Sequence, residues 1–182
     1  MSIVYNKFKD HQPSADAEII ILGLFTSPNK HSGDFFFSRS RIFLWHMLPI
    51  CFKQPSLQEA DVDTKKKFMQ RYRIDFLDII NSVDLEDADA IIDDEVLDGQ
   101  VHEFTNIVER LKQLPQLKSV YFTRKTFNGI PHCKQALQEV VTYCKENNIR
   151  FCKLDTPSRH YSQEKQQQWI DTIVLQKTCL RV

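Results

Sequence analysis

At 182 residues, with 42% hydrophobic and 26% charged residues, the chain has the length and composition of one globular domain. Only 4 Gly and 7 Pro are present, which excludes a collagen-like repeat, a low-complexity linker or a disordered tail. The net charge is zero (24 Lys+Arg against 24 Asp+Glu) but uneven: residues 74–109 hold twelve acids and no Lys or Arg, between basic flanks.

The N-terminal stretch, 1–17, has no apolar core of a signal peptide and reads as an extension to a single domain over 1–182. Residues 18–23 (Glu-Ile-Ile-Ile-Leu-Gly) form a β-branched run ending in Gly, the pattern of a buried parallel strand. A polar loop, 26–34, follows, then Phe35-Phe36-Phe37 and a helical pattern over 39–48. Ser56 and Glu59 form a capping box that predicts a helix over 57–71, and 73–81 suits a strand or buried extended stretch. Val101, Phe104, Ile107, Val108, Leu111 and Leu114 recur three or four apart, which predicts a helix over 101–114.

A short strand is expected over 119–123, a turn at Asn128-Gly129, and a helix opened by Pro131 and stopped by Asn147-Asn148. Residues 149–154 form a last strand candidate, and Ser162 caps a last helix carrying Trp169 and Ile173. Strands alternating with helices imply an α/β fold, a three-layer α/β/α sandwich around a mainly parallel four-stranded sheet. The five cysteines (51, 133, 144, 152, 179) show no C-x-x-C pair, so reduced thiols, core positions and no metal site are expected. No apolar run approaches the ~20 residues of a membrane helix, which points to a cytoplasmic protein with no membrane partner.

Sites in parallel α/β sheets lie at the carboxyl ends of strands, here loops 24–37, 123–129 and 155–161. The first has small residues and backbone donors at Gly23, Leu24, Phe25, Thr26 and Ser27, a carboxylate at Asp34, a histidine at His31 and the phenylalanines. It is not a Walker loop, because the G-K-[ST] ending is missing. The third, Asp155-Thr156-Pro157-Ser158-Arg159-His160-Tyr161, offers two hydroxyls, a guanidinium and a following helix N-terminus. By itself it also fits an ordinary strand-to-helix connection.

Taken in order, these loops resemble the uracil-DNA glycosylase superfamily, in its branch of small mismatch-type and hypoxanthine-type glycosylases. Gly23-Leu24-Phe25-Thr26-Ser27 is similar to a G-T-x-P-S pattern, and 36–45, with Arg41 and Trp45, to a Y-Y-G-H-P-R-N-R-F-W stretch. Asp78 resembles a mid-chain aspartate after an apolar run, and 154–161 with Glu164, Lys165 and Trp169 a late L-P-S-T-S-P-A-N loop before an E-K-x-x-x-W helix. The resemblance spans about residues 18–175. It implies hydrolysis of the N-glycosidic bond of a damaged or mismatched base flipped out of single- or double-stranded DNA, by a monomer without cofactor or metal.

On that resemblance Asp78, Asp34 and His160 are the candidate catalytic groups. Gly23, Leu24, Phe25, Thr26 and Phe36 would hold the base, and Ser27, Arg41, Thr156, Pro157, Ser158 and Arg159 the DNA backbone. The chain departs from the pattern where Ile42 (or Arg41) and Tyr161 replace asparagines, Thr26 replaces proline, and Phe36-Phe37 replace a tyrosine pair. An amide that reads the base or positions water is thereby lost. The expectation divides between a glycosylase of altered base preference and an inactive glycosylase-like binding protein for nucleic acid or a protein partner. An unrelated α/β enzyme for a nucleotide-like ligand is a third reading.

Overall fold

The computed structural model describes residues 2–29, 32–86 and 93–176. In chain order the elements are β1 (Ser2–Tyr5), β2 (Ile19–Gly23), α1 (Leu44–Cys51), α2 (Val62–Tyr72), β3 (Ile74–Asp78) and β4 (Ile80–Leu85). Then come α3 (Asp94–Gly99), β5 (Val101–Phe104), α4 (Ile107–Lys112), β6 (Ser119–Phe122), α5 (Pro131–Glu146), β7 (Arg150–Lys153) and α6 (Gln163–Ile173).

A four-stranded sheet of order β3-β2-β6-β7, parallel throughout, forms the centre. Because side chains alternate along a strand, Ile20 and Leu22 face one layer and Ile21 the other. The first layer packs Val120, Phe122 and Leu77 under Ile107 and Leu111 of α4 and Leu137, Val140 and Cys144 of α5. The second packs Ile21, Phe76, Tyr121 and Cys152 under Trp45 and Leu48 of α1, Phe68 of α2 and Trp169 of α6. This is the expected three-layer α/β/α arrangement.

A second, three-stranded sheet of order β1-β4-β5, antiparallel, stands beside it. It corrects two expectations. Residues 101–104 are a strand and not the start of a helix: Val101 pairs with Val83 and Phe104 with Ile80. The helix begins only after Asn106, whose side chain accepts from the Glu109 N–H at 3.2 Å. The N-terminal segment supplies β1, which pairs along β4 from Ser2↔Leu85 to Tyr5↔Ser82.

Two helix starts also differ. Ser56 accepts from Gln58 N–H (3.2 Å) in a local turn, whereas Asp61 caps α2 by accepting from Thr64 N–H at 2.7 Å. Residues 39–43 are not helical; α1 starts at Leu44, after Arg41 at φ +63°. Pro131 and Ser162 open α5 and α6 as expected. Cys51, Cys133 and Cys144 are free and buried, and burial pushes the Cys51 and Cys144 thiols up to about 12. Cys152 is disulfide-bonded, against the expectation of reduced thiols throughout. No described helix is long and apolar enough to cross a membrane.

Ile80 is fully buried where the two sheets meet. Ile80→Ala is expected to lower stability by about 2–5 kcal/mol while keeping one cooperative denaturant transition. Two resolved transitions would show that the small sheet unfolds separately.

Candidate functional site

β2 and β3 end level with each other, with Gly23 opposite Asp78. Burial of both strands leaves Asp78 only 8% exposed at the carboxyl edge of the sheet. Its Oδ2 accepts from the Thr26 hydroxyl at 2.7 Å and from Asn6 Nδ2 at 2.9 Å. Asn6 is itself buried and positioned: its Nδ2 also donates to the Ile80 carbonyl (3.2 Å), and its Oδ1 accepts from Phe8 N–H (2.8 Å). Burial raises the Asp78 pKa above the ordinary aspartate range; Asn6, Thr26 and, more weakly, His11 oppose that shift.

The carboxylate can sit there only because residue 23 has no side chain. A Cβ at Gly23 would lie 2.3 Å from Asp78 Oδ1 and 3.0 Å from Phe37 Cζ. Gly23, Asp78 and the half-buried Phe37 ring thus converge at one point above the strand ends. Phe37 reaches it from a left-handed backbone conformation, φ +52°. Backbone strain of this kind, costing about 1–3 kcal/mol, persists where the surroundings enforce it.

Phe36 is corrected. It is 1% exposed, stacked on Phe8 at 3.8 Å and against Phe76 at 5.4 Å, and its carbonyl accepts from Trp45 Nε1 at 2.7 Å. With its ring enclosed by the core, it has no face for a base. Phe37, not Phe36, is the ring beside Gly23, and adjacent phenylalanines cannot be told apart until the turn that splits them is known. Asn6 was missed entirely, since nothing in a polar N-terminal stretch marks a residue 72 positions from its partner.

Leu24, Phe25, Thr26 and Ser27 are half-buried on the loop leaving β2. The Thr26 carbonyl accepts from Lys7 N–H at 2.8 Å, so the N-terminal segment braces this loop. Among the described residues, the N–H groups of Leu24, Phe25 and Ser27 donate to no protein acceptor. Asp34 is exposed on the turn beyond Gly33, and no bond brings it to Asp78. His31 lies outside the described residues.

The loop leaving β7 docks on the loop leaving β2. Ile42 bridges Ser158, Phe43 N–H donates to the Pro157 carbonyl (2.7 Å), and Arg159 N–H donates to the Arg41 carbonyl (3.1 Å). Pro157 is buried in this strap, while Arg41, Arg159 and His160 are exposed. Arg41 and Arg159 both have positive φ, +63° and +75°. The Thr156 and Ser158 hydroxyls bond each other at 2.7 Å, and Lys165 Nζ donates to the Ser158 and His160 carbonyls. Lys125, from the loop after β6, reaches Asp155 at 2.8 Å. All three exit loops therefore meet on one rim.

A hollow of about 300 Å³ lined by Asp16, Lys66, Arg73 and Asp75 is at the amino end of β3, away from Asp78. At the carboxyl edge, Phe37 lies over Gly23.

No protein-family model matches the chain, and no curated protein sequence matches it. Its fold is shared with the solution NMR structure of a candidate uracil DNA glycosylase from Methanosarcina acetivorans. That match has a TM-score of 0.60 and 14% identity, over 91% of this chain and 94% of the other. The chain thus has a uracil-DNA-glycosylase-like fold.

Asp78→Asn keeps an acceptor for Asn6 and Thr26 and removes the buried charge. A folded-state pKa raised above the unfolded one gives stability that is present at low pH and lost as pH rises through the folded value. The variant is therefore expected to gain most over the native chain at pH 8, with the gap closing toward the ordinary aspartate range. Melting curves across that pH range check this; a variant less stable at pH 8 than at pH 4, relative to the native chain, contradicts it.

Proposed function

We propose that this chain is a DNA glycosylase that hydrolyses the N-glycosidic bond of a damaged or mismatched base flipped out of DNA, in base-excision repair. The observation that carries the reading is the buried Asp78 carboxylate, held by Asn6 and Thr26 beneath a small-residue loop with unoccupied N–H groups. The shared fold adds to it only as an analogy.

In this reaction water adds to C1′ of the sugar and the base leaves with the bonding electrons. Asp78 Oδ1, which neither side-chain donor uses, orients the water and faces the developing sugar cation. In a water-poor site a fixed carboxylate acts on that charge more strongly than it would in solvent. The Leu24, Phe25 and Ser27 N–H groups donate to the departing base anion, and His160 adds a donor from the loop after β7. Phe37 and Phe25 take the stacking role, with Phe37 turning aside to admit the base. Arg41, Arg159, Thr156 and Ser158, on the strap stiffened by Pro157, hold the phosphates. Asp34 has no part. The chemistry calls for no metal or cofactor, and the chain acts as a monomer in the cytoplasm.

Binding without cleavage is the second reading. It is favoured by Phe37 lying over Gly23 and by Ile42, or Arg41, standing where the resemblance calls for an asparagine.

Oligonucleotides carrying uracil, hypoxanthine, xanthine or mismatched thymine, single-stranded and duplex, separate the two. The glycosylase reading predicts abasic product from at least one of them, reduced about 10²–10⁴-fold by Asp78→Ala. Salt-sensitive binding with no product would support the second reading. Product that survives Asp78→Ala would remove Asp78 from the mechanism.

A further inference from the structure

Beyond Gly23 and Asp78, the same rim carries a second group of rings. Tyr161 is among the few large hydrophobic side chains left exposed, at 38%. His46, in the first turn of α1, meets it edge-on at 4.6 Å and 90°, and Phe43 lies at 6.5 Å. The cluster is tied to the strap: Phe43 N–H bonds Pro157, and Gln58 Nε2 holds the Ile42 carbonyl at 2.7 Å. Exposed Arg41 and Arg159 stand on that strap, joined through their backbones. The nearby carboxylates are Asp155, already bound to Lys125, and Glu164, in the first turn of α6.

A fixed, exposed ring next to a strap that carries two exposed arginines is a pairing suited to unpaired nucleotides: stacking takes the base and the cations take the phosphate. A base inside a duplex has both faces covered, so it cannot use such a ring without further opening of the helix. We propose that Tyr161, fixed by His46 and Phe43 and two residues beyond the strap that carries Arg41 and Arg159, is a stacking platform for an unpaired base adjoining the flipped one. The chain accordingly prefers single-stranded nucleic acid. This inference rests on the glycosylase reading of the neighbouring loops.

The test is fluorescence anisotropy with a labelled, undamaged oligothymidylate of twelve nucleotides and a blunt duplex of the same length. The native chain should bind the single strand more tightly. Tyr161→Ala and Tyr161→Leu, the second keeping apolar cover over His46, should each weaken single-strand binding about tenfold. Tyr161→Phe should bind as the native chain does. Duplex binding should change less than twofold in all three. Arg159→Ala should lower the salt dependence of binding, which Tyr161→Ala should leave unchanged. Single-strand binding unaffected by Tyr161→Ala and Tyr161→Leu, or equal losses on both probes, overturns the platform and leaves the glycosylase reading in place. Failure of the native chain to bind either probe also overturns the platform, and abasic product from the lesion-carrying oligonucleotides then decides the glycosylase reading separately.

Discussion

A carboxylate buried at the end of a parallel sheet is costly unless donors meet it, and the arrangement around Asp78 follows from that constraint. The Thr26 hydroxyl comes from the loop after β2 and the Asn6 amide from the N-terminal segment. Asn6 is in turn placed by β1, whose pairing with β4 brings residue 6 beside Asn81 and Ile80. The antiparallel sheet is therefore more than an appendage. It delivers the amide that holds the carboxylate, and Gly23 leaves the room in which the carboxylate lies.

The same edge shows how loops of different origin are made into one rim. The strap between residues 41–43 and 157–159 is a backbone contact, so it does not depend on which side chains are present. It holds Arg41 and Arg159 in left-handed conformations that only a well-determined surrounding maintains. Trp45 and Trp169 support it from below: one indole donates to the Phe36 carbonyl, the other to that of Asp155 at 2.9 Å. The asparagines missing from the family-like pattern are thus not simple gaps. Tyr161, at one of those positions, presents a ring on the outside.

Legibility in the sequence followed the range of the interactions. β2, β6, β7, α5 and α6 carry local signals, an unbroken apolar run or a Pro or Ser at the right helix position, and all were readable. The small sheet was not, because Val101 and Phe104 have a spacing that also suits a helix, and only pairing with β4 across a register shift makes them a strand. At the site, strand-end reasoning reached Gly23, Thr26 and Asp78. It could not reach Asn6, whose importance comes from a distant partner, nor choose Phe37 over Phe36, because that choice is made by one backbone turn.

The central claim is that the reacting sugar sits against Asp78 with Phe37 displaced. It is tested most directly by a crystal structure with an oligonucleotide carrying a cationic pyrrolidine in place of one sugar. The account predicts the ring nitrogen within about 3 Å of Asp78, in hydrogen-bond reach, and Phe37 turned away from Gly23. A pyrrolidine bound instead in the hollow near Arg73 and Asp75, with Phe37 still over Gly23, would contradict it.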